Sequence, residues 1–495
     1  MSVRPAGGPA PHRGQVPCDL SAVRRTLGEA SGWSPEPLGL DRLHIGPGAL
    51  NRLEDVADRT AGRDGPVVVL AAATPISVRG KALHEQIAGL IARRSRLSWV
   101  VAGPANGAVH ADERTVAAAR AAAARARCVL TVGSGTITDI GKAAAPAGVP
   151  LVAVQTATSV NGYADPFSVL LRTGVKRTTP TRWPDVLIAD TDVLLDAPAR
   201  LNLAGAGDSA AMFTATADWY LAALLGADGP PFRPEVAGLV RPHGKRMLGL
   251  GAGLARDATG LEDLARLLTL SGIGMGVTGS TAPASGMEHA VSHLLEMAAT
   301  VTGRPASLHG EQVGVASVVA AATWSHVLRV IADGGLRRPA RLPDPDEVDR
   351  RISAAFEPLD PTGAMAAECL ADYGVKLRRL AAGDDPLVML RAAWPAAQAE
   401  LASLLVTPAE LATGLRRAGL PVRFGDLPES VTAGQARWAV AHCALQRRRL
   451  GVADLAMLLG AWGDDDIEAV LAESERAAAV ADGAAGGGTA GGRRS

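Results

Sequence analysis

The feature that most constrains the fold is a series of short, unbroken apolar runs separated by helix-forming stretches. These are residues 66–72 (PVVVLAA), 97–102 (LSWVVA), 128–132 (CVLTV), 150–155 (PLVAVQ) and 185–190 (DVLIAD). A strand buried on both faces reads as a continuous β-branched run, not as an alternation. Residues 43–46 add a further short strand closing in a turn, with a helix expected over 49–57. Helices are also expected over 78–94 and 112–127. Strands alternating with helices at this spacing predict a parallel sheet with right-handed crossovers. The fold class is α/β. A Rossmann-like parallel-sheet domain (37–196) is followed by an all-helical domain (197–475), with the active site in the cleft between them. Residues 1–36, rich in Pro, Gly and Arg, read as a loose arm, and the Ala/Gly-rich residues 476–495 read as a disordered tail.

The composition narrows the function. With 495 residues there is room for more than one domain, and the formal net charge is zero. The longest basic cluster is Arg447-Arg448-Arg449, so no nucleic-acid surface is expected. The 4 cysteines are scattered without a CxxC pair, which predicts a reduced, cytoplasmic protein with no thiolate metal site. No apolar signal region and no uninterrupted stretch of eighteen apolar residues is seen, so no membrane span is expected.

Chemistry-bearing residues gather in a few places. The strand at 128–132 runs into Gly133-Ser134-Gly135-Thr136-Ile137. Such a turn lets backbone N–H groups and a helix N-terminus approach a phosphate, although a tight βα turn needs glycine in any case. The strand at 150–155 ends in Thr156-Ala157-Thr158-Ser159-Val160-Asn161-Gly162-Tyr163-Ala164-Asp165, at the carboxyl edge where open α/β sheets bind ligands. Of the 10 histidines, His289, His293 and His309 lie within residues 280–314. His289 and His293 are a helical turn apart, so they share one face. Two imidazoles and a carboxylate suit a divalent metal with open positions. Asp208 is a candidate for that carboxylate, and equally an N-cap for a helix over 210–226.

In order, the motifs are a strand followed by GSGT, then TATSVNGYAD, AGAGD, SGMEHAVSH and LHGEQVG. Together they resemble the sn-glycerol-1-phosphate dehydrogenase branch of the iron-containing alcohol dehydrogenase and dehydroquinate synthase superfamily, over roughly residues 40–330. The resemblance implies that Gly133, Ser134, Gly135, Thr136 and Ile137 line the pyrophosphate of NAD or NADP. Thr156, Ala157, Thr158 and Ser159 would contact the cofactor further along. Asp208, His289 and His309 would hold one metal, zinc in this branch and iron or nickel in relatives. His293 would touch a small-molecule substrate. The superfamily usually self-associates, so a homo-oligomer is expected.

The chain departs from that pattern at three points. Asn161 stands where the family carries an Asp that contacts substrate, and Asp165 where it carries a Ser that contacts NAD. Ser134 replaces a middle glycine. The strand at 66–72 ends without the acidic residue that selects NAD in some relatives, which permits NADP. The reading is a metal-dependent, NAD(P)-linked dehydrogenase of a small polyol or hydroxyketone, with or without a phosphate. The alternative is a dehydroquinate-synthase-like lyase or cyclase on a sugar phosphate, with Lys176, Arg177 and Arg182 as cations for the phosphate.

Overall fold

The computed structural model describes residues 18–28, 35–61, 65–92, 95–104, 109–172, 175–227, 229–429 and 431–486. Its strands are β1 (Arg42–Gly46), β2 (Pro66–Ala71), β3 (Ser77–Val78), β4 (Lys81–Ala82), β5 (Arg96–Val101), β6 (Cys128–Gly133), β7 (Leu151–Gln155), β8 (Phe167–Arg172), β9 (Val175–Pro180) and β10 (Val186–Asp190). Six form one parallel sheet in the order β1-β10-β7-β6-β2-β5. These six are the apolar runs picked out in the sequence. Every residue of β6, β7 and β10 is buried, which is why none of them alternates. The α/β reading of the fold holds.

The register places Gly133 opposite Gln155, so β6 and β7 end side by side. The glycine turn and the threonine-rich loop therefore open at one edge of the sheet. Antiparallel β8 and β9 form a separate hairpin beside that edge.

Four expectations need correction. The helix expected over 78–94 is the shorter Leu83–Ile91, because β3 and β4 first turn back through left-handed Arg79 (φ 50°) and Gly80 (φ 74°). The helix expected over 210–226 begins earlier, as Ala199–Ser209, then passes through a 3-10 turn to Ala215–Leu224. The expected loose arm contains the helix Leu20–Gly28, which buries Leu20, Val23 and Leu27. The expected tail begins inside the helix Asp464–Gly486, where Ala477, Ala478 and Ala481 are buried against the protein. Alanine-rich composition reads as low complexity, but small side chains also permit close helix packing. Residues 1–17, 29–34 and 487–495 lie outside the described residues.

From residue 191 on, the described chain is helical apart from connections. The helices Met287–Val301 and His309–Ala332 carry the histidine segment. His309–Ala332 is long and apolar enough to cross a membrane by composition, but 67% of its most apolar window is buried within the protein. It is a core helix here.

Candidate active site

The site begins with two helices that cross unusually closely. Helix Ala199–Ser209 packs on helix His309–Ala332 through glycine. A Cβ on Gly310 would stand 1.8 Å from the Ala204 carbonyl oxygen, and one on Gly207 would stand 2.1 Å from that of Gly310. Only a hydrogen atom fits at either position. Arg200 fixes the register by a two-pronged bond to Glu311, Nε to Oε1 at 2.7 Å and Nη2 to Oε2 at 2.8 Å. Across the same helix, Gly205 lies against the Thr158 carbonyl, which a Cβ would approach to 1.9 Å. Asn202 Oδ1 accepts the Thr158 N–H at 2.9 Å. The helix is thus gripped between the loop after β7 and the helix that starts at His309.

That grip delivers Asp208 to the histidines. Asp208 is not a helix N-cap: it occupies the last turn of Ala199–Ser209, and its Oδ2 accepts the Asn161 N–H at 2.9 Å. Its other oxygen, Oδ1, is buried and has no hydrogen-bond partner among the described residues. Leaving such an atom unsatisfied costs about 1–3 kcal/mol. His289 Nε2 stands 3.3 Å from this oxygen and His309 Nε2 stands 3.9 Å from it. Ligand atoms bound to one zinc at about 2.0–2.2 Å lie roughly 3–4 Å apart. Asp208, His289 and His309 therefore fit a single divalent cation, which would satisfy the orphaned oxygen.

Two carboxylates missing from the sequence reading complete the arrangement. Glu288 Oε1 lies 3.0 Å from His289 Nδ1, and Glu296 Oε1 lies 3.3 Å from His309 Nδ1. Each imidazole is held from behind by an acid, so that its Nε2 is left to face the cation. Ser292 Oγ also reaches His309 Nδ1 at 3.2 Å. Burial alone would raise the Asp208 carboxyl, but the facing imidazoles, His289 foremost, hold it below the usual carboxylate range. Burial opposes charge on His289, yet Asp208 and Glu288 raise it to about 9. His293 stacks on His309 with ring centroids 5.6 Å apart. Burial and its neighbour His309 hold it well below the ordinary histidine value, so it is a neutral imidazole at pH 7.

The glycine turn and the loop after β7 line the same cavity, of about 440 Å³. Ser134, Gly135, Thr136, Ser159, Asn161 and Asp165 line it, as do Asp208, His289, His293 and His309. Ser134 stands at the N-cap position of the helix Gly135–Ala144 without a side-chain capping bond, and the first turn lines the cavity. Gly133 is required because Ile137 lies 2.6 Å from where its Cβ would be. The remaining expected cofactor residues stand behind this surface. Ile137 is buried, and its N–H bonds the Ser134 carbonyl at 3.1 Å. The Thr158 N–H and hydroxyl are both spent on Asn202. Thr156 donates its N–H to Gly133, and Ala157 is buried with its carbonyl bonded by Tyr163. These four shape the cavity wall instead of facing its interior.

Asp165 and Asn161 are also engaged. Asp165 Oδ1 pairs with Lys142 Nζ at 2.9 Å, and that buried amine also bonds the Gly162 carbonyl at 2.7 Å. Lys142, which carries no signal in the sequence, staples the glycine-turn helix to the loop bearing Asn161. Asn161 Nδ2 donates to Ser271 Oγ at 3.3 Å. The three cations considered for a sugar phosphate are occupied. Lys176 pairs with Glu296 at 2.7 Å, Arg177 with Glu368 and Asp372, and Arg182 with Asp185 at 2.8 Å.

Comparison with known proteins identifies the family. The sequence profile of the family described as iron-containing alcohol dehydrogenase matches residues 44–198. A protein of Bacillus licheniformis named glycerol-1-phosphate dehydrogenase (NAD(P)+) is 31% identical over 376 residues, covering 72% of this chain and 92% of the relative. One of the same name from Bacillus velezensis is 30% identical, covering 70% and 85% respectively. In structure, the chain resembles glycerol dehydrogenase from Schizosaccharomyces pombe, with a TM-score of 0.53 at 15% identity, covering 88% of this chain and 90% of that one. The chain belongs to the glycerol-1-phosphate dehydrogenase branch of the iron-containing alcohol dehydrogenase family.

Proposed function

We propose that the protein is a metal-dependent oxidoreductase that moves hydride between NAD(P)H and a small polyol phosphate or its hydroxyketone. One observation carries this reading. Asp208 Oδ1, His289 Nε2 and His309 Nε2 converge at 3.3 and 3.9 Å in the cavity that the Ser134–Gly135–Thr136 turn also lines.

Asp208, His289 and His309 are the metal ligands, and Ser134, Gly135, Thr136 and Ser159 form the cofactor side. When bound, the metal supplies Lewis acidity to a ketone oxygen and the nicotinamide supplies or takes the hydride. Glu288 and Glu296 orient the two ligand imidazoles through their Nδ1 atoms. His293, neutral and inside the cavity, accepts a proton at one ring nitrogen and donates at the other, relaying it from the substrate hydroxyl to solvent. Phe167, Val169 and Leu171 of β8 line the cavity and exclude water from the hydride path.

Zinc is the metal we propose, with iron and nickel accepted by the same ligand set. NADP is permitted beside NAD, since β2 ends at Ala71 and is followed by Ala72-Ala73, with no carboxylate there to repel a 2′-phosphate. A cytoplasmic location and self-association complete the reading; sedimentation velocity measures the latter.

The test uses the full chain loaded with zinc, iron or nickel. NADH and NADPH oxidation is followed with dihydroxyacetone phosphate, dihydroxyacetone and other short hydroxyketones. Metal-dependent turnover far exceeding one NADH per enzyme is expected. No turnover with any ketone while metal is bound would end the proposal.

A further inference from the structure

The cluster Arg447-Arg448-Arg449 is the basic motif that the reaction above does not use. Two of its members stand behind the wall of the substrate cavity. Arg449 Nη2 donates to Thr281 Oγ1 at 2.9 Å and Nη1 to the Ser285 carbonyl at 2.6 Å. Arg447 Nη2 donates to Ser285 Oγ at 3.2 Å, and Nη1 to the Gly286 carbonyl at 2.9 Å. Among the described residues, both guanidiniums bond carbonyl and hydroxyl oxygens and no carboxylate. The carboxylates near them, Glu288 and Asp218, act through space and make no hydrogen bond to either guanidinium. Burial and the neighbouring Arg447 push Arg449 down to about 9.

Thr281 and Ser285 themselves line the cavity that holds His289, His293 and His309. Each hydroxyl accepts from an arginine, so its own proton is available to a ligand. Among the described residues neither hydroxyl donates elsewhere. An arginine bonded to a hydroxyl oxygen polarises it and makes it a better donor. Ser285 stands just before helix Met287–Val301, whose first turn carries His289. Both hydroxyls share one cavity of about 440 Å³ with the proposed metal ligands.

Lys176 is the competing candidate for an anion. It reaches the cavity, but its ammonium is already neutralised by Glu296 at 2.7 Å, and Glu296 is tied to His309. An anion drawing Lys176 away would loosen the support of a metal ligand. The hydroxyl pair carries no such cost.

We propose that Thr281 and Ser285, backed by Arg449 and Arg447, form the subsite that takes the phosphate of the substrate. This rests on the dehydrogenase reading for what the phosphate is attached to, but not for the binding itself. The subsite makes the enzyme selective for a phosphorylated polyol over the free one, through ground-state binding at the end remote from hydride transfer.

Inorganic phosphate is the probe. Its affinity for the metal-loaded full chain is measured by calorimetry with NADH saturating, so that the glycine turn is occupied. Thr281→Val combined with Ser285→Ala is expected to weaken phosphate at least ten-fold with NADH affinity kept. Thr281→Ser, which keeps the donor, is expected to bind phosphate as the parent does. In turnover, the double variant is expected to raise the ratio of KM for dihydroxyacetone phosphate to KM for dihydroxyacetone at least ten-fold, with kcat for the phosphate ester changed far less. Unchanged phosphate affinity in the double variant overturns the proposal. So does loss of that affinity in Lys176→Met with the double variant unaffected. An enzyme inactive on every ketone but showing the expected phosphate binding refutes the dehydrogenase reading and leaves this subsite standing.

Discussion

A few atoms decide this site, and they are not equally visible in the chain. His289, His293 and His309 stand out because histidines are scarce and cluster here. Asp208 stands out only as part of a motif, since its role depends on an oxygen that finds no other partner. Glu288 and Glu296 go unnoticed, because a glutamate on a helix is ordinary until an imidazole Nδ1 is seen 3.0 or 3.3 Å away. Replacing His309 by Ala removes a proposed ligand whose backbone lies at a helix start. Metal content is expected to fall to near zero and turnover to background, with far-UV circular dichroism unchanged; a variant that keeps its metal refutes the assignment. Glu296→Gln keeps the size but withdraws the charge behind His309. A loss of about 10–100-fold in metal affinity is expected, measured by competition with a chromogenic chelator.

Among the elements, the crossing of helix Ala199–Ser209 with helix His309–Ala332 matters most. In the sequence, Gly205 and Gly207 look like a break before a new helix, because glycine costs roughly 0.5–1 kcal/mol in a helix interior. In the structure the same glycines are what allow the backbones to touch. Gly310→Ala drives a methyl toward the Ala204 carbonyl 1.8 Å away. About 1–3 kcal/mol of destabilisation is expected, along with weaker metal binding, since the helices bearing Asp208 and His309 must separate. Gly238 lies in helix Pro234–Leu250, and a Cβ added there would meet nothing within 4 Å. Gly238→Ala is expected to stabilise by about 0.5–1 kcal/mol. Urea denaturation of the two variants reads both signs, and equal effects would contradict the close-contact account.

At the scale of the molecule, the two halves of the site are built separately and meet in one cavity. The glycine turn comes from the end of β6, while the proposed metal ligands come from helices far along the chain. Chelation is therefore expected to abolish turnover while NADH fluorescence still reports binding within a few-fold of the parent, and added zinc or iron restores activity. Loss of NADH binding on chelation would mean that the halves do not form independently. The six sheet strands are legible in the chain, because a strand buried on both faces must be apolar at every position, and that leaves a local pattern. The glycine turn and the histidine pair are local in the same way. What the chain does not carry locally is which strand lies beside which, where the helix bearing Asp208 begins, and which carboxylate stands behind which imidazole. Those depend on contacts between residues far apart in the chain, such as Asp208 with His309. A contact of that kind leaves no periodicity in the sequence, and only the packed chain decides it.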